Sequence, residues 1–186
     1  MVTDEQILHQ VNTNLLGSIQ LVRAVLPHLR QQGGGRIIQL SSVAGQAAFA
    51  SGALYCATKW GIEGFIESTM IDVAPFNISL TIIEPGGART AFRYTSAQLG
   101  PKNDAYNASP VSAVRRLLEE AIAVPPNDPV KIAAAIIASA DQNPAPKRIA
   151  LGSDCYGAVH QALTQRLADL EAQKELAFTT DRPDPA

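Results

Sequence analysis

RIIQLSSVAGQAAFASGALYCATK, residues 36–59, decides the fold because one short stretch passes from strand spacing to helix spacing. Residues 36–40 have the length and branched side chains of a buried strand, which delivers Ser41 and Ser42 at its carboxyl end. A helix is expected over residues 54–74 and stops at Pro75, whose ring clashes with a continuing helix. In that helix Tyr55 and Lys59 are four positions apart and share one face near the first turn.

Those three side chains describe a proton-transfer site. A phenol with a pKa of about 10 must drop by roughly 3 units to act as a base near neutral pH, equivalent to about 4 kcal/mol. One ammonium at about 4 Å, at an effective dielectric of about 20, supplies a term of that size. Ser42 is placed to donate a hydrogen bond to a carbonyl oxygen held by the phenol. A Tyr-x-x-x-Lys pair alone is a weak motif, so its surroundings carry the weight. They run strand, Ser, Gly-rich turn, Tyr at a helix start, Lys one turn on, then a second strand ending in EPGG.

Working outward, Thr3 with Gln6 forms a capping box, and Leu8, Val11, Leu15, Val22, Val25 and Leu29 recur at helical spacing to about Arg30. Gly33, Gly34 and Gly35 end that helix. ISLTIIE, residues 78–84, is a second buried strand, cut off by Pro85, Gly86 and Gly87. A small-residue loop follows, then a short helix around residues 111–123 and the break VPPNDP. Asn127 or Asp128 ahead of Pro129 begins another helix, to about Ala140. Residues 147–151 form a third strand, and Ser153 or Asp154 caps a final helix with Val159, Leu163, Leu167 and Leu170 on one side. Apolar strands separated by helices argue for an α/β fold with a parallel sheet covered on both faces. Right-handed crossovers bring the strand ends, with Ser42 and the Pro85 turn, to the edge where open α/β sheets bind ligands.

In this order the residues closely resemble the short-chain dehydrogenase/reductase family over residues 4–91, with the tail weaker. The resemblance implies a partial Rossmann-type, doubly wound parallel sheet, with residues 1–178 as the C-terminal portion of one domain and 179–186 as a disordered tail. It implies an enzyme, an NAD(P)-dependent oxidoreductase passing hydride between nicotinamide and an alcohol or carbonyl substrate. Tyr55 would exchange the proton, Ser42 hold the oxygen, and Lys59 lower the phenol pKa and anchor the ribose. NLLG matches the family's Asn-x-x-Gly and assigns to Asn14 the ordering of a relay water; the other reading is an Asn bonding backbone at a helix irregularity. PGGART matches the family's nicotinamide turn, which gives Pro85, Gly86, Gly87 and Thr90, with Tyr55 and Lys59, as contacts for NAD or NADP. The loop at residues 91–109 occupies the family's substrate-loop position, where Phe92, Tyr94 and Tyr106 either shape a pocket or cover the open end of the core.

The glycine-rich strand–turn–helix that cradles a pyrophosphate is expected to be missing, with the rest of the family's first βαβαβ segment. Gly33–Gly35 follow a helix and precede a strand, the reverse of the required order, so they form a connection. The chain accordingly reads as starting just before the family's fourth helix, with an unpaired apolar edge on its first strand and poor binding of NAD(P) in isolation. The alternative is a truncated or non-catalytic relative acting by association, and the helices near residues 4–31 and 54–74 are also where a homo-oligomer is expected.

Composition narrows the remaining classes. The chain has 186 residues, 46% hydrophobic and 17% charged, ample for a core, and a net charge of −2 that leaves no basic footprint for nucleic acid or anionic membrane. The most apolar run, IAAAIIASA, falls well short of the roughly 20 residues that span a bilayer, and the opening MVTDEQ has no basic region for export. Cys56 and Cys155 lack metal-ligand spacing and read as reduced thiols of a cytoplasmic protein. His9, His28 and His160 form no pairing that suggests a metal, and LSSVA lacks the glycine before the serine of a hydrolase elbow.

Overall fold

A computed structural model describes residues 2–92, 96–120 and 124–182. Three strands, β1 (Gly35–Leu40), β2 (Ile78–Pro85) and β3 (Arg148–Leu151), lie parallel in the order β1-β2-β3. Gly35 stands opposite Ile78 and Leu40 opposite Ile83; on the other side Ile82 meets Arg148 and Pro85 meets Leu151. Helices α1 (Asp4–Val11), α2 (Gly17–Gln31), α3 (Ala53–Val73), α4 (Pro110–Glu119), α5 (Pro129–Ala140), α6 (Ser153–Glu171) and α7 (Lys174–Phe178) flank the sheet, the α/β arrangement that the alternating pattern implies.

β2 is central and almost wholly buried, as an unbroken apolar run requires. Its Ile78, Leu80 and Ile82 pack with Val22 of α2 and with Ile62, Ile66 and Val73 of α3. Each such side chain contributes about 1.5–3 kcal/mol by leaving water. β1 is only half-buried, and among the described residues nothing pairs with its outer edge.

The opening helix carries the expected capping box: Gln6 N donates to Thr3 Oγ1 at 3.3 Å and Thr3 N to Gln6 Oε1 at 3.0 Å. It is not one regular helix. A π-helical stretch, Asn12–Leu16, interrupts it with Asn14 at its centre. The amides of Gly33, Gly34 and Gly35 donate to Arg30 O, Leu29 O and Asn77 O, so all three are spent inside the protein, as befits a connection.

Two sequence expectations change. α3 ends at Val73 and a 3-10 turn, Ala74–Phe76, carries the chain through Pro75 to Asn77 in the left-handed region (φ 56°). Neither Ser153 nor Asp154 occupies the cap of α6, which is Gly152 at φ 110°, a region open to glycine. Of the apolar stripe on α6 only Val159 is buried, while Leu163, Leu167 and Leu170 are exposed. Tyr94, residues 121–123 of the helix expected around 111–123, and 183–186 of the expected tail lie outside the described residues.

Candidate active site

β1 delivers Ser41 and Ser42 beyond Leu40, and a 3-10 turn, Val43–Gly45, then reverses the chain. Ser42 Oγ accepts from Ala44 N at 3.2 Å, which fixes this buried side chain at the strand end. Tyr55 is in the first turn of α3, with its phenol beside the Ser42 side chain, whose hydrogen-bonding influence acts to lower the phenol pKa. The two side chains expected to share a substrate oxygen are therefore neighbours. Phe92 leans against the Tyr55 ring with centroids 6.0 Å apart and planes at 42°.

Lys59 Nζ is 5.7 Å from the Tyr55 ring centroid and donates to Leu40 O at 3.2 Å. Burial pushes the Tyr55 phenol above its ordinary pKa, and the Ser42 hydrogen bond offsets this only in part. Burial also pulls Lys59 below its ordinary value, partly countered by Glu63. The drop in phenol pKa expected from the spacing is thus not made in this structure, where the ammonium is committed to a strand carbonyl.

Asn14 reaches α3 as well. Its Nδ2 donates to Thr58 Oγ1 at 3.3 Å, and that hydroxyl donates to Tyr55 O at 2.8 Å. The helix irregularity that one reading of Asn14 required is present, while its side chain is tied to the turn carrying Tyr55 and Lys59. Thr58, which links them, carries no motif in the sequence.

The Pro85–Gly87 turn leaves the carboxyl end of β2, with Gly86 N donating to Leu151 O at 2.8 Å and Gly87 N to Asp154 Oδ2 at 2.7 Å. Thr90 Oγ1 accepts from Phe92 N at 3.4 Å, two residues from the ring that touches Tyr55. Beside it Arg89, Thr90, Ala91, Val124 and Pro125 line an open cavity of about 370 Å³, and Arg89 Nε is spent on Pro125 O at 2.8 Å. The donor set at this sheet end, two neighbouring hydroxyls, an ammonium, a Pro-Gly turn and a threonine, suits the nicotinamide end of a dinucleotide. No glycine-rich strand–turn–helix for a pyrophosphate occurs among the described residues.

Sequence reasoning missed a charge network built around buried Glu63 and Glu84 beside Ser41. Arg148 Nη1 lies 2.6 Å from Glu63 Oε2, its Nη2 2.9 Å from Glu67 Oε1, and it also contacts Glu84. Ser41 Oγ donates to Glu63 Oε1 at 2.5 Å and Gln46 Nε2 to Glu84 Oε2 at 2.7 Å. Burial raises the Glu63 pKa, while its bonds from Arg148 and Ser41 pull it back. Burial works against the Arg148 charge too, yet the carboxylates hold the guanidinium above its usual range. The network grips both flanks of the segment that carries Ser42.

Known proteins share this architecture. A family model described as short chain dehydrogenase matches residues 1–99. "Oxidoreductase BOA17" of Botryotinia fuckeliana is 32% identical over 171 residues, covering 92% of this chain and 62% of that protein. A "3-ketodihydrosphingosine reductase" of Bacteroides thetaiotaomicron is 35% identical over 92 residues, 50% of this chain and 34% of that protein. The crystal structure of a short-chain dehydrogenase from Streptomyces avermitilis superposes with a TM-score of 0.86 at 32% identity, covering 97% of this chain and 65% of that one. The chain thus spans less than two thirds of the length of each of these three relatives.

Proposed function

The chain belongs to the short-chain dehydrogenase family, and from that membership we propose that it carries the proton-transfer site of an NAD(P)-dependent oxidoreductase working on an alcohol or carbonyl. The observation that supports this best is the placing of Ser42 beside Tyr55 at the carboxyl end of the parallel sheet, with Lys59 Nζ 5.7 Å from the Tyr55 ring centroid. NAD or NADP, when bound, supplies or accepts the hydride. The chain's own residues manage the oxygen and the proton. Ser42 and Tyr55 hold the substrate oxygen between them. Burial holds the Tyr55 phenol above its ordinary pKa, and Tyr55 is the group that donates the proton to a carbonyl oxygen in the reductive direction and takes it back in the oxidative one. Lys59 balances the phenolate left behind and is the ribose anchor, and Asn14 orders the relay through Thr58. Pro85, Gly86, Gly87 and Thr90 form the turn against which the nicotinamide lies.

Phe92 over the phenol and the largely aliphatic wall at Val124 and Pro125 favour an apolar carbonyl, and the Bacteroides relative is named as a reductase of a ketone, 3-ketodihydrosphingosine. Exposed Leu8, Leu21 and Ile71 on α1, α2 and α3 provide the faces for a homo-oligomer. No described helix is long and apolar enough to cross a membrane. The free thiols of Cys56 and Cys155 support a cytoplasmic location.

Replacing Tyr55 by Phe in the full-length protein is expected to lower NAD(P)H-dependent reduction of apolar ketones by about 10²–10⁴-fold. Cofactor binding, read by nicotinamide fluorescence, stays as it was. Turnover retained in Tyr55→Phe overturns the assignment.

A further inference from the structure

Asp154 is the second residue of α6, where a carboxylate ordinarily serves its own helix. Here it reaches across to the turn after β2. Its Oδ2 accepts from Gly87 N at 2.7 Å and its Oδ1 from Asn127 Nδ2 at 2.8 Å. The same Asn127 amide donates to Gly87 O at 3.0 Å, and the backbones join too: Asn127 N donates to Gly87 O at 3.1 Å and Arg89 N to Asn127 O at 3.1 Å.

Two glycines make room for this cluster. A Cβ on Gly86 would stand 2.2 Å from Asp154 Oδ1, and one on Gly152, already at φ 110°, would stand 2.5 Å from both Asp154 Oδ1 and Asn127 Nδ2. Three segments of chain thus converge on one carboxylate, and each of its oxygens faces an N–H. Only an acceptor with no hydrogen of its own satisfies both donors. Burial opposes the charge, but the bonds from Asn127 and from the backbone N–H groups of Gly87, Cys155 and Asp154 itself outweigh it and hold the carboxyl below its ordinary pKa.

We propose that Asp154, acting through Asn127 and the Gly87 amide, is a positioning residue that sets the Pro85–Gly87 turn as the platform for a nicotinamide ring. This inference rests on the oxidoreductase reading above. A hydride donor must approach its acceptor within a few tenths of an ångström of the productive distance, so the platform's rigidity enters the rate directly. The bare turn has little of its own: Gly86 and Gly87 carry no side chain and Pro85 no amide.

The test uses the full-length protein with Asp154→Asn, which keeps the shape but turns an NH2 group toward one donor, and Asn127→Ala, which leaves the Asp154–Gly87 bond in place. Amide hydrogen exchange is read without cofactor, and steady-state reduction of an apolar ketone with NADH and NADPH. The expected result for Asp154→Asn is exchange at Gly87 and Arg89 faster by about tenfold. At saturating cofactor kcat falls by a comparable factor, and the pH inflection belonging to Tyr55 does not move. Asn127→Ala, which keeps the acceptors of both amides and removes only the side-chain brace, shifts exchange and kcat in the same direction by a smaller factor. A merely structural role would instead lower kcat only as the folded fraction falls. Unchanged Gly87 exchange, or faster exchange with kcat intact, overturns the inference. An unsubstituted protein that reduces no carbonyl with either cofactor overturns the parent reading, and the cofactor-free exchange data keep the two failures apart.

Discussion

Glu63, one helical turn beyond Lys59, shows how a residue that no motif marks constrains those that motifs do. Its carboxylate fills the space where a side chain on residue 45 would go, since a Cβ on Gly45 would stand 1.7 Å from Glu63 Oε1. Burial lifts its pKa above the ordinary 4.5, against the pull of Arg148 and Ser41. A raised carboxyl binds its proton more tightly folded than unfolded. Its stabilising contribution is therefore complete below about 4.5 and is lost as pH climbs through the raised folded value. Glu63→Gln has no such titration. In thermal unfolding scanned from pH 7 down to pH 4.5, the wild-type chain should gain stability relative to Glu63→Gln; a gap moving the other way contradicts the burial argument. Ser42, Tyr55 and Lys59 were legible in the sequence because their chemistry is packed into one local run. Glu63 was not, because its partner Arg148 lies 85 positions away and only the folded sheet joins them.

The elements were legible to within a residue or two wherever pattern alone fixes them. β1 was expected over residues 36–40 and is Gly35–Leu40; β2 was expected over 78–84 and is Ile78–Pro85. What escaped were features set by neighbours. The π stretch at Asn12–Leu16 leaves the apolar spacing nearly unchanged, so periodicity passes over it. The α6 cap falls on Gly152, ahead of both polar candidates, at a backbone position that no side-chain pattern marks. Asn14 and Thr58 belong to this scale, joining the irregular helix to the first turn of α3. Thr58→Val keeps the volume but removes the hydroxyl that accepts from Asn14 and donates to Tyr55 O. It should cost about 1–2 kcal/mol in denaturant unfolding, the ordinary size for a buried donor left without its acceptor. An unchanged midpoint would show that the Asn14–Thr58 bond does not hold the two elements together.

At the scale of the whole molecule, the open flank of β1 is the feature with the largest consequence. Gly35 N donates to Asn77 O and Ser41 N to Ile83 O, so the odd-numbered residues of β1 turn their backbone groups toward β2. By the two-residue period of a strand, Arg36, Ile38 and Leu40 turn theirs away from the sheet. Lys59 covers one of them, Leu40 O, at 3.2 Å, placing a charge on the edge as natural sheets do to discourage pairing. Leu40 itself is 52% exposed, and nothing among the described residues pairs with the backbone of Ile38. Such an edge templates another strand. The 186-residue chain should therefore develop an intermolecular β-sheet band in its infrared spectrum as concentration rises. Ile38→Pro removes an outward N–H while sparing every bond to β2, since proline is tolerated on an edge strand when its missing donor faces solvent. That substitution should suppress the band yet leave intact any dimer formed through α1, α2 and α3, which sedimentation reads separately. If the band persists in Ile38→Pro, association runs through another surface and the flank of β1 is not the adhesive one.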